Sequence, residues 1–253
     1  MYPYTIFAGI DLYTIFVALA VLTALATYRI LSAKFNFSTK FYNFVLLCAV
    51  LSITLGLFSA AFFQALYNIK ETGRFELTST SGMTFLGGLM GGAAVFIIFY
   101  FGVGALVFKD RENVKSFGKI ANIGACSICI AHSVGRIGCL MAGCCHGKRV
   151  DGFFGIYNHM VGCKTLPVQL YEALFLAALF AVLVMLFQKG KNTMSIYLIA
   201  YAVWRFFAEY MRADERGDTL ISALSPSQLI CIPMLLIGVI ILYFSIKGKK
   251  DEI

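Results

Sequence analysis

Charge is scarce in this 253-residue chain, where Asp, Glu, Lys and Arg together make up 13% of the residues. A soluble domain carries about 25% charged residues to cover its surface, so a water-exposed globule is excluded. There is no internal repeat, no low-complexity tract and no linker that marks off a second domain, which points to a single domain over residues 1–253. No phosphate-cradling GxxxxGK[ST] loop appears, and "GCCHGK" does not match one. The N-terminal "MYPYTIFAGIDLYTIFVALAVLTALATYR" has no basic region ahead of its apolar stretch. It also runs long for a signal peptide, so it reads as a retained first span.

What fills the chain instead is hydrocarbon. Hydrophobic residues make up 60% and the mean hydropathy is +0.82. A helix needs ~20 apolar residues to cross a bilayer, and seven such runs are expected, near 12–31, 42–67, 84–108, 117–142, 168–187, 193–212 and 227–246. The class is therefore an all-α polytopic membrane protein. Arg29, Lys34, Lys40, Lys109, Arg111, Lys115, Lys119, Lys189, Lys191, Lys247, Lys249 and Lys250 follow the first, third and fifth runs or close the chain. Cytoplasmic loops collect Lys and Arg, which places the N-terminus outside and the C-terminus inside. The formal charge of +8 reflects that bias, and its scatter over separate loops argues against nucleic-acid binding. The 24 Phe, 13 Tyr and one Trp suit lipid-facing surfaces and interfacial belts.

Two segments break the simple pattern. "TSTSGMTFLGGLMGG" (78–92) puts small residues where a span begins. They serve either close helix packing or a non-helical entry lining a polar cavity. "HSVGRIGCLMAGCCHGKRV" (132–150) gathers Arg136, Cys139, Cys144, Cys145 and His146 among glycines. Further charge lies at membrane depth. "YAVWRFFAEYMR" sets Arg205, Glu209 and Arg212 at i, i+4 and i+7, one face of a regular helix. "PVQLYEAL" adds Glu172, while Arg136 has no acid near it in sequence. Intramembrane ionisable groups cost roughly 3 kcal/mol each on insertion scales and face a partner or a cavity. Three arginines against two acids leave positive charge over, so either the set is an internal network that fixes helix packing or an anion enters. In a bilayer that anion is a lipid phosphate, whose oxygens fit arginine's planar fork.

The cysteines admit several readings. Cys48, Cys126, Cys129 and Cys231 sit in apolar runs, where a thiol behaves as a small hydrophobe. Cys139, Cys144, Cys145 and His146 are of metal-ligand type, but their spacing departs from the paired C-x₂₋₄-C of structural zinc sites. Adjacent Cys144 and Cys145 would project apart within one regular element. Cys126, Cys129 and His132 share a helical face and make a second conceivable ligand set, and Cys144 or Cys145 with Cys163 a conceivable disulfide. Packing is the favoured reading for most of the cysteines; no metal and no cofactor is assigned. His159, in "GIYNHM", is expected to be solvated.

Taken in order, "GMTFLGGLMGG", "GRIGCLMAGCCHGK", "PVQLYEAL", "YAVWRFFAEYMR" and "SPSQLICIPMLLIGV" resemble the bacterial prolipoprotein diacylglyceryl transferase family over about residues 82–240, and Tyr13 extends the likeness. The resemblance implies a seven-span enzyme of the bacterial inner (plasma) membrane, with about seven helices around an arginine-lined cavity. It implies transfer of diacylglyceryl from phosphatidylglycerol to the lipobox cysteine of a prolipoprotein signal peptide, with release of glycerol phosphate. On that footing Arg136, Arg205, Glu209 and His146 are the expected catalytic residues. Arg136, Gly138, Arg212, Tyr13, Gln169, Tyr171 and Glu172 are the expected substrate-binding ones, and Gly147 matches a second signature glycine. The chain departs from the pattern at four places: Leu86 and Leu166 replace histidines, Cys139 an asparagine and Cys144 an acid. The phosphate-binding half therefore survives better than the acid–base half. His146, followed by His132, is then the candidate base. A phospholipid-binding transferase with another acceptor and a lipid carrier are the alternatives, the carrier weakened by the lack of inverted repeats.

Overall fold

The computed structural model describes residues 5–7, 10–72, 85–213 and 224–250. Helices dominate: α1 (Leu12–Ser32), α2 (Thr39–Thr72), α3 (Phe85–Ile97), α4 (Gly104–Val107), α5 (Glu112–Ala142), α6 (Val168–Gln188), α7 (Thr193–Ala208) and α8 (Pro226–Lys250). The π-helical stretch Ile98–Val103 joins α3 to α4 without a break, so the described residues hold seven rods. Six of these are long and apolar enough to cross a membrane: Leu12–Ser32, Thr39–Leu66, Gly87–Val107, Glu112–Ala142, Val168–Gln188 and Pro226–Lys247.

The seventh differs from expectation. α7 has 16 residues, which at 1.5 Å each reach about 24 Å against a hydrocarbon core of about 30 Å. It tightens into a 3₁₀ turn at Glu209–Met211, after which Arg212 is extended with ψ 156°. The expected helix over 193–212 therefore stops early, because Arg212 exchanges the helical ladder for an antiparallel bridge to Gly147. Small strands complete the inventory. β1 (Thr5–Phe7) pairs with β2 (Ile10–Asp11). β3 (Ile156–Asn158) pairs antiparallel with β4 (Cys163–Thr165) in the register Ile156↔Thr165, Tyr157↔Lys164 and Asn158↔Cys163.

The chain divides into two compact units, one of Phe35–Gly118 and one of Met1–Lys34 with Lys119–Ile253; one boundary falls between α1 and α2 and the other within α5. In the unit Phe35–Gly118, small residues let α2 and α3 meet backbone to backbone. A Cβ on Gly56 would lie 3.1 Å from the Gly88 carbonyl oxygen and 3.2 Å from the Gly92 Cα. The Ser59 hydroxyl donates to the Gly87 carbonyl at 2.8 Å. Lipid tails supply no hydrophobic force between helices, so such close packing and interhelical bonding hold the pair. The Gly87–Gly92 part of the small-residue segment thus serves packing, whereas residues 78–84 lie outside the described residues. Leu86 falls in the first turn of α3, and its side chain is likewise outside them. The π-helical stretch presents Tyr100, fully buried, whose hydroxyl donates to the Asn113 carbonyl at 2.7 Å. The Asn113 amide donates back to the Tyr100 carbonyl at 3.2 Å, satisfying an oxygen that a π-bulge takes out of the regular ladder.

The other unit contains α1, most of α5, and α6 to α8. Asp11 caps α1, accepting from the Thr14 amide at 2.8 Å and its hydroxyl at 2.7 Å; these bonds hold its carboxyl below the usual range. Lys34 closes the far end of α6, its ammonium donating to the Phe187 carbonyl at 3.1 Å and the Gln188 carbonyl at 2.9 Å. A cation there also meets the negative end of the helix dipole. Asn192 caps α7 through the Ser195 amide at 3.0 Å, and Gly238 lets α8 lie against Leu198 and Ile199 of α7.

Replacing Gly56 by leucine removes the contact between α2 and α3. Midpoint unfolding temperature in detergent is expected to fall by several degrees, more than for leucine at Gly102, where a Cβ meets nothing within 4 Å.

Candidate functional site

The polar centre of the larger unit is built on the seam between α5 and α6. Cys129, Ser133 and Arg136 follow one another at i, i+4 and i+7 on α5, so they share a face. Each meets α6: the Cys129 thiol donates to the Leu176 carbonyl at 3.3 Å, and the Ser133 hydroxyl to the Ala173 carbonyl at 2.8 Å. Arg136 reaches Glu172. Its Nη2 donates to Oε1 at 3.1 Å, and its Nε lies 2.9 Å from Oε2. That second arm is close in distance but off hydrogen-bond alignment. Glu172 is 0% exposed and Arg136 9%.

Two more groups converge on the same carboxylate. The Tyr201 hydroxyl of α7 donates to Glu172 Oε1 at 2.8 Å, and His132 Nε2 lies 3.6 Å from that oxygen. The His132 ring sits edge-on to Tyr201 with centroids 5.0 Å apart. Cys126 meets Thr193 at the start of α7, Cys129 meets α6 and His132 meets Glu172, so among the described residues this face does not assemble a ligand set.

A second ion pair lies further along α7. Arg205 Nη2 is 2.7 Å from Glu209 Oε2 and donates to the Ser227 hydroxyl of α8 at 2.9 Å. Its Nη1 is buried and has no hydrogen-bond partner among the described residues. The i, i+4 spacing of Arg205 and Glu209 expected from the sequence thus holds, whereas Arg212 does not continue that face. Arg212 is buried on the extended stretch that bridges to Gly147. Around it the Lys148 amide donates to the Met211 carbonyl at 3.0 Å, and the Ala213 amide to the His146 carbonyl at 3.4 Å.

The loop after α5 is irregular, so the expectation for adjacent cysteines in one regular element does not apply to it. α5 ends at Ala142, and Gly143 (φ 79°) and Cys145 (φ 58°) then turn left-handed. Cys144 and Cys145 therefore do not lie in a regular element, and with Cys139 they bring three sulfur atoms to within 4.8 Å of one another. Two buried amides fix this backbone. Asn158 donates to the Gly143 carbonyl at 2.8 Å, and Gln169 to the Cys144 carbonyl at 2.5 Å. The Cys145 thiol is held well below its ordinary value by the thiols of Cys139 and Cys144, with Arg212 and Arg136 adding to the effect. The Cys144 thiol is pushed up by the same hydrogen-bonded neighbours. All eight cysteines carry free thiols, so the disulfide to Cys163 is not formed.

The remaining expected residues fall around these two clusters. Gly138 is buried and lets α1 approach α5, since a Cβ there would lie 3.0 Å from Phe16 and 3.5 Å from Tyr13; Tyr13 itself is 41% exposed. Gly147 is enclosed by Val168, Leu166 and the Met211 carbonyl, each 2.6–2.7 Å from such a Cβ. His146 is half-buried, with Nδ1 3.0 Å from the Gly147 carbonyl oxygen. A carbonyl only accepts, so Nδ1 is the donor in this contact. Tyr171 is half-buried next to Glu172. His159 is exposed, as expected, in the β3–β4 turn, its ring centroid 5.0 Å from that of Tyr157. Sequence reasoning missed Tyr201, Ser227 and Asn158. Tyr201 lies four residues before Arg205 on the same helical face, a signal that was there to use; "GIYNHM" offers none for Asn158.

These features define a polytopic membrane protein whose buried centre is a set of arginines steadied by carboxylates. A family model described as prolipoprotein diacylglyceryl transferase matches residues 4–244, and the chain belongs to that family. A protein of Clostridium perfringens named phosphatidylglycerol–prolipoprotein diacylglyceryl transferase 2 is 34% identical over 181 residues, 68% of this chain and 66% of the relative. A Clostridium tetani protein named phosphatidylglycerol–prolipoprotein diacylglyceryl transferase is 28% identical over 169 residues, 64% and 63% of the two chains. One of the same name from Dehalococcoides mccartyi is 25% identical over 226 residues, 83% and 80%. The chain thus spans just under two thirds of the length of the two clostridial relatives.

Removing one partner of a buried ion pair leaves the other charge without compensation and costs about 3–5 kcal/mol. Glu172→Ala is accordingly expected to lower the unfolding temperature strongly. Tyr201→Phe deletes one hydrogen bond to the carboxylate, worth about 1.5–3 kcal/mol, and should rank clearly below it in thermal unfolding in detergent.

Proposed function

We propose that this protein transfers the diacylglyceryl group of phosphatidylglycerol to the lipobox cysteine of a prolipoprotein, releasing glycerol phosphate. Family membership supports the reaction class, and one observation in the site carries the assignment to residues. Arg136, Arg205 and Arg212 are all buried, against two buried-pair carboxylates, Glu172 and Glu209. These buried guanidinium groups, with Arg205 Nη1 without a hydrogen-bond partner among the described residues, suit the phosphate of a lipid headgroup.

The chemistry follows from that placement. Displacement at the glycerol carbon requires the departing phosphate ester to be stabilised, and preorganised cations in a water-poor site do this without reorganising. Arg136 and Arg205 are the electrostatic catalysts. Glu172, sealed from solvent, holds Arg136, and Glu209 holds Arg205. Arg212, Gly138, Tyr13, Gln169 and Tyr171 line or support the substrate side, and His146 is the candidate base nearest the signature loop. This reading includes the bacterial plasma membrane as location, a single transmembrane domain over residues 1–253, seven spans around an arginine-lined cavity, and an outward N-terminus with a cytoplasmic C-terminus.

The test incubates purified protein in detergent with labelled phosphatidylglycerol and a lipobox peptide. Thioether product and free glycerol phosphate are expected, with the rate falling at least ~100-fold in Arg136→Ala, the usual loss on removing one oxyanion-stabilising donor. Lipid binding without product would move the reading to another acceptor, and absence of both would sink it.

A further inference from the structure

The phosphate reading makes no use of the three thiols in the loop after α5, yet that loop's backbone is held in an uncommon conformation. Cys145 is one of two non-glycine residues with positive φ among the described residues, a conformation that costs about 1–2 kcal/mol. The loop keeps it because Asn158 and Gln169, both buried, clamp the carbonyls of Gly143 and Cys144. A Cβ at Gly143 would fall 2.7 Å from the Asn158 Oδ1, so the clamp also requires glycine there. What this arrangement achieves is the convergence of the Cys139, Cys144 and Cys145 sulfurs.

Three sulfurs within 4.8 Å fit a thiophilic d¹⁰ cation. Zinc–thiolate bonds of ~2.3 Å in tetrahedral geometry set sulfurs about 3.8 Å apart, a closure of roughly 1 Å. A disulfide would use two of the three and leave the third idle. Among the described residues no fourth His, Cys, Asp or Glu joins the group. Three protein ligands with one position open is the pattern of reactive zinc, whereas structural zinc is closed by four. Cys144 is exposed, so the open side is reachable.

We propose that Cys139, Cys144 and Cys145 bind one Zn²⁺ ion whose fourth position takes the thiol of the acceptor cysteine. This second half rests on the transfer reading above. It activates the acceptor without calling on a general base, since a metal-coordinated thiol is deprotonated outright. The acceptor S–H binds and its proton passes to water. The bound sulfur then attacks the glycerol carbon and forms the C–S bond. The C–O bond to phosphorus breaks, its electron pair leaves on glycerol phosphate, and the neutral thioether quits the ion.

Purified protein, stripped with chelator under reductant, is titrated with Zn²⁺ and separately with Co²⁺ as spectroscopic probe. One equivalent of each is expected, Co²⁺ showing tetrahedral visible bands and thiolate-to-metal absorption. Serine at Cys139, Cys144 or Cys145 should each weaken binding by more than the ~10–100-fold that outer-shell changes cost, while Cys163→Ser leaves it intact. Absence of binding, binding indifferent to these three substitutions, or a disulfide within the trio that survives reductant would overturn the site. A lipobox peptide, without lipid, should raise the thiolate-to-cobalt absorption by about a third as three Co–S bonds become four, and its cysteine-to-serine version should not. Equal responses to both peptides would overturn the acceptor role. With lipid added, Zn²⁺ reloading should raise transfer at pH 7 at least ~10-fold, because a free thiol is only a few per cent ionised there. Transfer as fast in stripped as in loaded protein would also overturn the acceptor role. A specific peptide response with no thioether from either form would instead overturn the transfer reading and leave the metal site standing.

Discussion

A guanidinium carried into a membrane-spanning bundle has to be compensated there, and Arg136 is compensated by Glu172, 36 residues away in sequence. The demand reaches well beyond the two side chains. Because the carboxylate is sealed, each of its oxygens must be answered from within the protein. The answer comes from three directions: the guanidinium on α5, the Tyr201 hydroxyl on α7 and the His132 ring edge. Ser133 and Cys129 add bonds one and two turns back along the same seam. Sliding α5 along α6 by one residue would break all of these together, so one buried charge sets the register of two spans and the rotation of α7.

The second pair is arranged differently. Arg205 and Glu209 sit on a single stretch of chain, and α8 contributes only the Ser227 hydroxyl. Local pairing of this kind asks nothing of a distant span, whereas the Arg136 pair ties α5 to α6. Each guanidinium still has one buried nitrogen without an aligned hydrogen-bond partner among the described residues, Nε of Arg136 and Nη1 of Arg205.

Much of this was legible in the sequence because a bilayer imposes a length. The apolar runs near 12–31, 168–187 and 227–246 fall on α1, α6 and α8 to within a few residues. The Arg205–Glu209 pair was legible because i, i+4 neighbours meet on any helix. Arg136–Glu172 was not, since pairing across separate spans depends on which helices become neighbours. Arg212 was placed on the wrong element for a related reason. Helical phase says nothing about where a strand-like bridge ends the helix, and Gly147, its bridging partner, lies more than sixty residues upstream. The convergence of the cysteines was not legible because adjacent cysteines diverge in helices and strands, and here the left-handed backbone of Gly143 and of Cys145 itself takes them out of both. The glycine at 143 hinted at the turn; nothing in the sequence marked Cys145 as left-handed.

The bridge between Gly147 and Arg212 has a mechanical side. It stitches the peptide that follows the thiols to the peptide that carries a buried arginine, with the Lys148 and Ala213 amides as further stitches. Backbone pairing of this kind transmits displacement stiffly, because stretching it breaks several bonds at once. The peptide two residues beyond Cys145 and the peptide of Arg212 are thus one piece of backbone, and neither can shift without breaking the stitches to the other.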